Sequence, residues 1–188
     1  MKRRPSHRRR LTPLAFPGTC PAMKIRAYRP SDLDALFAIN LASEPGVGHE
    51  DEAAGLGRLI ELGTCLVAAD EAGTPLGFIT LIEPGTLAYP SENLRWLERW
   101  MAEHDTTMLY VDRIAVAEAA RGQRTGQRLY EAAFALTRER ARAWLTCEVN
   151  TLPDNPGSHH FHDRLGFARI GQTQYSADYA VAFYAKGF

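Results

Sequence analysis

Cysteine is scarce: Cys20, Cys65 and Cys147 are the only three in 188 residues. They are scattered, form no Cys-x-x-Cys pair and match no metal-ligand spacing. An odd count without a disulfide framework points to a reducing, cytoplasmic compartment. No apolar run reaches the roughly 18 residues that a membrane span needs. Leu11–Phe16 is too short and too broken by proline to be a signal-peptide core. Two phosphate-binding signatures are missing as well. There is no Gly-Lys-Ser/Thr run of the Walker type. There is no Gly-x-Gly-x-x-Gly fingerprint either, since the candidate loop holds only Gly122 and Gly126.

Acid is absent before Asp32, where Lys2, Arg3, Arg4, Arg8, Arg9 and Arg10 gather. The net charge of zero therefore hides an asymmetry: the rest of the chain carries 16 basic against 22 acidic residues, a balance of −6. Residues 1–22 are rich in arginine and proline with little to bury, and disorder is expected there. They read as a basic arm for RNA, DNA or anionic lipid, or as an unstructured extension ahead of a start at Met23. Residues 23–188 are long enough for one domain with a real core. Their acidity disfavours nucleic acid and suits an amine substrate.

One stretch organises the rest, Tyr110–Tyr130. Met108–Val116 is rich in β-branched and aromatic residues and reads as a strand. Glu118–Gly126 is small, polar and glycine-bearing, a loop. From Gly126 on, Leu129, Ala133 and Leu136 recur at helical spacing. A glycine-bearing loop that opens a helix gathers N–H donors at the positive end of the helix dipole, which is chemistry for phosphate. Arg121, Arg124 and Arg128 add charge beside it.

That stretch resembles the acyl-CoA pyrophosphate loop of GNAT-type N-acetyltransferases, Gln/Arg-x-x-Gly-x-Gly/Ala after an Ile-Ala-Val strand. Arg121 fits the first position and Gly126 the last, while Arg124 stands where the family has its middle glycine. An arginine there must hold a backbone shape that glycine adopts more cheaply. A second stretch, Asn155–Phe167, is similar to the family's later motif, matching at Asn155, Ser158, Phe161, Gly166 and Phe167. His162 stands where a tyrosine is usual. The resemblance runs over about residues 23–188.

It implies an α/β fold: a mixed, mainly antiparallel sheet flanked by helices, whose central strand and the strand Trp144–Asn150 run parallel and splay apart. The order of elements read from the chain is the same. The resemblance also implies acetyl-CoA, or another acyl-CoA, as co-substrate; no metal is expected, from the spacing of the candidate ligands. The backbone of Arg121, Gly122, Gln123, Arg124, Thr125 and Gly126 would hold the pyrophosphate. Ile114, Ala115 and Val116 would pair with the pantetheine arm, a main-chain N–H near Val116 would serve the thioester oxygen, and Asn155 would contact the arm. His162 takes the place of the family's donor to the leaving thiolate, or is a packing replacement.

Asp112 is the best-placed base by sequence. Strand periodicity puts it on one face with Tyr110 and Ile114. The alternative is a salt bridge, and Glu148 on the next strand is in reserve. His159, His160, His162 and Asp163 crowd one short helix, but spacing supplies no fourth ligand for a metal.

Other expectations concern the acceptor side. Ser31 with Asp34 reads as a capping box opening a first helix, and His49–Leu62 as a second. His49, Glu50, Asp51 and Glu52 either touch an amine or form a solvated helix start. Ser91–Glu103 reads as an extra helix whose Trp96 and Trp100 either wall a substrate lid or pack in the core. The acceptor is a small or peptidic amine of unspecified identity, and the closing strands could pair in a homodimer. A non-catalytic acyl-CoA-binding module, and nucleic-acid binding through the basic tail, are the competing readings.

Overall fold

The computed structural model describes residues 23–188, and the expectations for residues 1–22 lie outside them. Seven strands and five α-helices follow in the order β1 (Lys24–Ala27), α1 (Leu33–Leu41), α2 (Ala53–Glu61), β2 (Thr64–Ala69), β3 (Pro75–Ile82), α3 (Glu92–Glu103), β4 (Met108–Val116), α4 (Thr125–Glu139), β5 (Trp144–Leu152), α5 (Pro156–Arg164), β6 (Ala168–Gln174) and β7 (Ala180–Gly187). They form one sheet in the order β1-β2-β3-β4-β5-β7-β6. Only β4 and β5 run parallel, and their ladder covers just Met108–Tyr110 against Trp144–Thr146. Beyond Tyr110 the two strands part, and the β5-facing edge of β4 borders a cleft.

Alternation along β3 assigns the helices to faces. Ile79 and Leu81 pack with Leu129, Tyr130 and Ala133 of α4, together with Val111, Leu145 and Cys147. The opposite face carries Phe78 against Leu36, Ile39, Leu56 and Ile60 of α1 and α2. It also carries Ile82 against Leu94 and Leu97 of α3, with Tyr110, Val181 and Phe183.

Several local expectations change. Ser31 is not the cap of α1: Pro30–Asp32 forms a 3-10 turn, and the Asp32 carboxylate accepts from the Arg29 N–H at 2.8 Å and pairs with Arg26 at 2.6 Å. An aspartate with a basic partner six residues back outcompetes a serine. The second helix begins at Ala53 and leaves His49–Glu52 in the connecting loop. Ser91 does cap α3, accepting from the Leu94 N–H at 3.1 Å. The tryptophans of α3 are core: Trp96 stacks on Phe183 at 3.9 Å, and Trp100 meets Trp144 edge-on at 5.7 Å.

The most consequential change is in β4. Thr80 pairs with Arg113 and Leu81 with Val111, so Asp112 is the extra residue of a β-bulge. The bulge flips the alternation. Tyr110 packs on the α3 side while Ile114 packs on the α4 side, so the three residues do not share one face as simple periodicity predicts.

Candidate active site

The cleft between the parted strands is about 1320 Å³ and runs from the start of α4 to the α3 face of the sheet. At one end lies the glycine-bearing loop. Gly122 has φ 73° and Arg124 φ 62°, so the loop turns into α4 through two left-handed residues, one of them an arginine. The first N–H groups of α4 have no partner within the helix, as in any α-helix, and the macrodipole is positive there. A Cβ at Gly126 would come within 3.3 Å of the Phe161 ring, a contact to which the ring would have to yield, so this first turn is a close-fitting cradle. These features fit a diphosphate. Arg121, Gly122, Arg124, Thr125 and Gly126 line the cleft here. Gln123 is not among the lining residues, and its amide turns to the Ala119 carbonyl at 2.7 Å. The Arg121 guanidinium donates to the carbonyls of Val116 and Ala42 at 3.2 and 3.4 Å, tying the end of β4 to the end of α1.

Ile114, Ala115 and Val116 line the middle of the cleft from β4, and Asn155 lines it at the start of α5. The Asn155 side chain also caps α5, accepting from the Ser158 N–H at 3.1 Å. His162, on the same helix, borders the cleft but is almost fully buried, and burial lowers its pKa to about 4. Its Nδ1 lies 2.8 Å from the Ser158 carbonyl, which can only accept, so Nδ1 carries the hydrogen. Nε2 then accepts from the Tyr130 hydroxyl at 2.7 Å. The ring is thus a neutral imidazole near pH 7, with both nitrogens engaged and no imidazolium proton to give.

At the other end two carboxylates meet. Asp112 accepts from Thr80 at 3.0 Å, from Arg113 Nε at 2.8 Å and from the Tyr89 hydroxyl. The salt bridge considered from sequence is therefore present, to the adjacent residue, while Asp112 still lines the cleft. Glu148 Oε1 accepts from Tyr110 and Asn93, each at 3.0 Å, and its Oε2 has no hydrogen-bond partner. Protein surrounds Glu148 except where it touches the cleft. Burial first, then the Asp112 charge, pushes its pKa up to about 8. Because Oε1 already accepts twice, the proton of the neutral carboxyl belongs on Oε2.

Tyr89, Asn93, Tyr130 and Tyr179 were not legible as site residues. Tyr89 arrives in the turn before α3 and Asn93 on its first turn, and no local pattern marks them. Tyr130 carries the one available signal, a polar-tipped aromatic on the first turns of α4 whose hydroxyl must find a buried partner. Among the described residues, no group of three or more His, Cys, Asp or Glu side chains is placed to hold a metal. No helix among them is long and apolar enough to cross a membrane.

Among the described residues, a mixed sheet whose only parallel pair parts over a helix N-terminus has the N-acyltransferase fold. Residues 33–167 match the acetyltransferase (GNAT) family, and the chain belongs to it. No curated protein matches significantly by sequence. Among solved structures, Ard1 from Thermoplasma volcanium is similar at TM-score 0.68 and 22% identity, over 88% of this chain and 97% of that one. The ribosomal-protein-alanine N-acetyltransferase from Brucella melitensis gives TM-score 0.64 and 23% identity, over 88% and 99%. NAA60 of Arabidopsis thaliana, solved in complex with acetyl-CoA, gives 0.67 and 16%, over 88% and 98%. At these identities the likeness carries the fold.

Proposed function

We propose that this protein transfers an acetyl group from acetyl-CoA to a primary amine by direct attack. One observation carries the reading: a single cleft joins a glycine-bearing loop at a helix N-terminus to the paired carboxyl groups of Asp112 and Glu148. Acetyl-CoA supplies the activated acyl group. The backbone at residues 121–126 binds its diphosphate, with Arg124 as a charge partner; Gln123 contributes backbone only. The open edge of β4 at Ile114, Ala115 and Val116 orients the arm, and Asn155 sits beside it.

The amine must lose a proton to attack, and a base works best when its pKa lies near the operating pH. Glu148 meets that condition. Asp112 keeps its place in the chemistry as the neighbouring charge that draws an ammonium into the site and raises Glu148. We assign His162 a positioning role, holding the Tyr130 hydroxyl at the thioester end. A thiol pKa near ~8.5 lets the thiolate depart with little help. Cys65 and Cys147, both buried and free, suit the reducing cytoplasm inferred from the sequence.

Arg124 and His162, the two departures from the family pattern, favour a second reading, an acyl-CoA-binding module without turnover. Thiol release from acetyl-CoA, measured over a panel of primary amines with a Gly126→Glu control, tests both. Amine-dependent release that the control lacks supports transfer. Calorimetric binding of acetyl-CoA without release from any amine supports the module.

A further inference from the structure

The acceptor end of the cleft has a one-sided chemistry. It is built largely by the β3–β4 connection, which delivers Tyr89 to Asp112 and, through the first turn of α3, Asn93 to Glu148. Asn93 Nδ2 also reaches the Tyr179 hydroxyl at 3.3 Å, and its Oδ1 accepts from Tyr175 at 2.8 Å. The hydroxyl hydrogens of Tyr89, Tyr110 and Tyr175 are therefore committed to Asp112, Glu148 and Asn93. Only that of Tyr179 remains.

The cations of the cleft do not serve this end. Arg113 is spent on Asp112, Asn40, Glu50 and the Gly48 carbonyl at 2.8–3.4 Å, with its side chain 5% exposed. Arg121 and Arg124 belong to the phosphate loop. Arg164 ends α5, and α5 contributes Phe161 to the core on the far face of the sheet. On the rim, His49 is held by Glu44 and Asp51 at 3.0 and 3.1 Å.

We propose that this recess selects primary amines whose neighbouring carbon carries no carboxylate, with Tyr89 and Asn93 as specificity-determining residues. The proposal rests on the acyl-transfer reading above. An ammonium completes the site, facing two carboxyl groups. In the ionised form that takes the amine's proton, Glu148 has no hydrogen to give, so an α-carboxylate carried in with the ammonium meets two carboxylates and finds, among the residues lining this end, no free cation and one neutral donor. Two like charges about 6 Å apart at an effective dielectric near 20 repel enough to cost roughly a hundredfold in binding. The shared chemistry can come from a small amine or from a peptide N-terminus, where the carboxylate has become an amide.

The test measures kcat/KM with the full chain and acetyl-CoA for tyramine against tyrosine, alaninamide against alanine, and a tetrapeptide starting with alanine. Each carboxylate-free member should exceed its acid by about a hundredfold. A tetrapeptide well ahead of alaninamide assigns the site to peptide N-termini, and the reverse to small amines; either supports the proposal. Asn93→Arg, which adds a cation, should narrow the alaninamide-to-alanine ratio at least tenfold while calorimetry still shows acetyl-CoA binding. Equal or better turnover of the acids overturns the proposal. So does turnover of none of these amines by protein that binds acetyl-CoA. A protein that does not bind acetyl-CoA brings down the acyl-transfer reading and this proposal with it.

Discussion

At the scale of single residues, Glu148 and Arg124 each work against local stability. Glu148 ionises near pH 8 in the fold, against 4.5 for an ordinary glutamate. The base form therefore grows as pH rises through 8, and kcat/KM should climb about tenfold from pH 7 to a plateau above it. Glu148→Gln should lower kcat/KM by about 100-fold or more and flatten that profile; an unchanged slope would remove Glu148 as the base. The same shift carries a stability signature. A carboxyl whose folded pKa is raised loses stability as pH rises from the unfolded value through the folded one, and the loss is complete above 8. Glu148→Gln should therefore unfold at a higher temperature than the parent at pH 9 and show little difference at pH 4. Arg124 holds φ 62°, a left-handed shape that costs a non-glycine residue roughly 1 kcal/mol. Arg124→Gly should gain about that much in denaturant unfolding. It should also weaken acetyl-CoA severalfold in calorimetry, and the loss should shrink at high salt.

At the scale of elements, α5 and the β6–β7 pair show how helix and strand contacts set the site. His162 fastens α5 to α4 through Tyr130 in its neutral form, with a folded pKa of about 4 against 6.5 when exposed. The lowered value means that this stability is present above pH 6.5 and is lost as pH falls toward 4 and below, by a few kcal/mol. His162→Gln, which cannot titrate, should flatten that acid limb in denaturant melts and keep rate within about tenfold of the parent at pH 8. A rate loss of about a thousandfold in a variant that still folds would restore His162 to proton transfer. In β6, a Cβ at Gly171 would fall 2.5 Å from the Trp96 ring, which lies flat on Phe183. Gly171→Ala should therefore destabilise by about 1–3 kcal/mol in denaturant unfolding, by forcing Trp96 off its stack. The elements themselves were largely legible, because Leu129 and Ala133 of α4, or the β-branched run of β4, follow strong periodicities. The bulge at Asp112 was not legible. A one-residue insertion leaves no mark in an alternating pattern until the partner strand is known. Asn93 was hidden for a similar reason: its value lies in a partner 55 residues away.

At the scale of the whole molecule, the phosphate loop and the carboxylate pair sit at opposite ends of one gap, and the gap exists because β4 and β5 pair over three residues and then part. The sequence motifs located both walls, yet it takes the sheet order to set β4 beside β5. Splayed strands are a weak seam in a sheet, since the ladder hydrogen bonds beyond Tyr110 are not made. A ligand that lies along the open edge of β4 and caps the start of α4 closes that seam only in the folded chain. Its binding energy therefore becomes folding energy. Acetyl-CoA at about 100 times its Kd should add about 2.7 kcal/mol. For a chain of this size that amounts to a rise of roughly 5–10 °C in Tm. Gly126→Glu puts a side chain and a negative charge into the cradle beside Phe161 and should abolish the shift. A full shift in that variant would mean that acetyl-CoA binds elsewhere, and the phosphate assignment of the loop would fall with it.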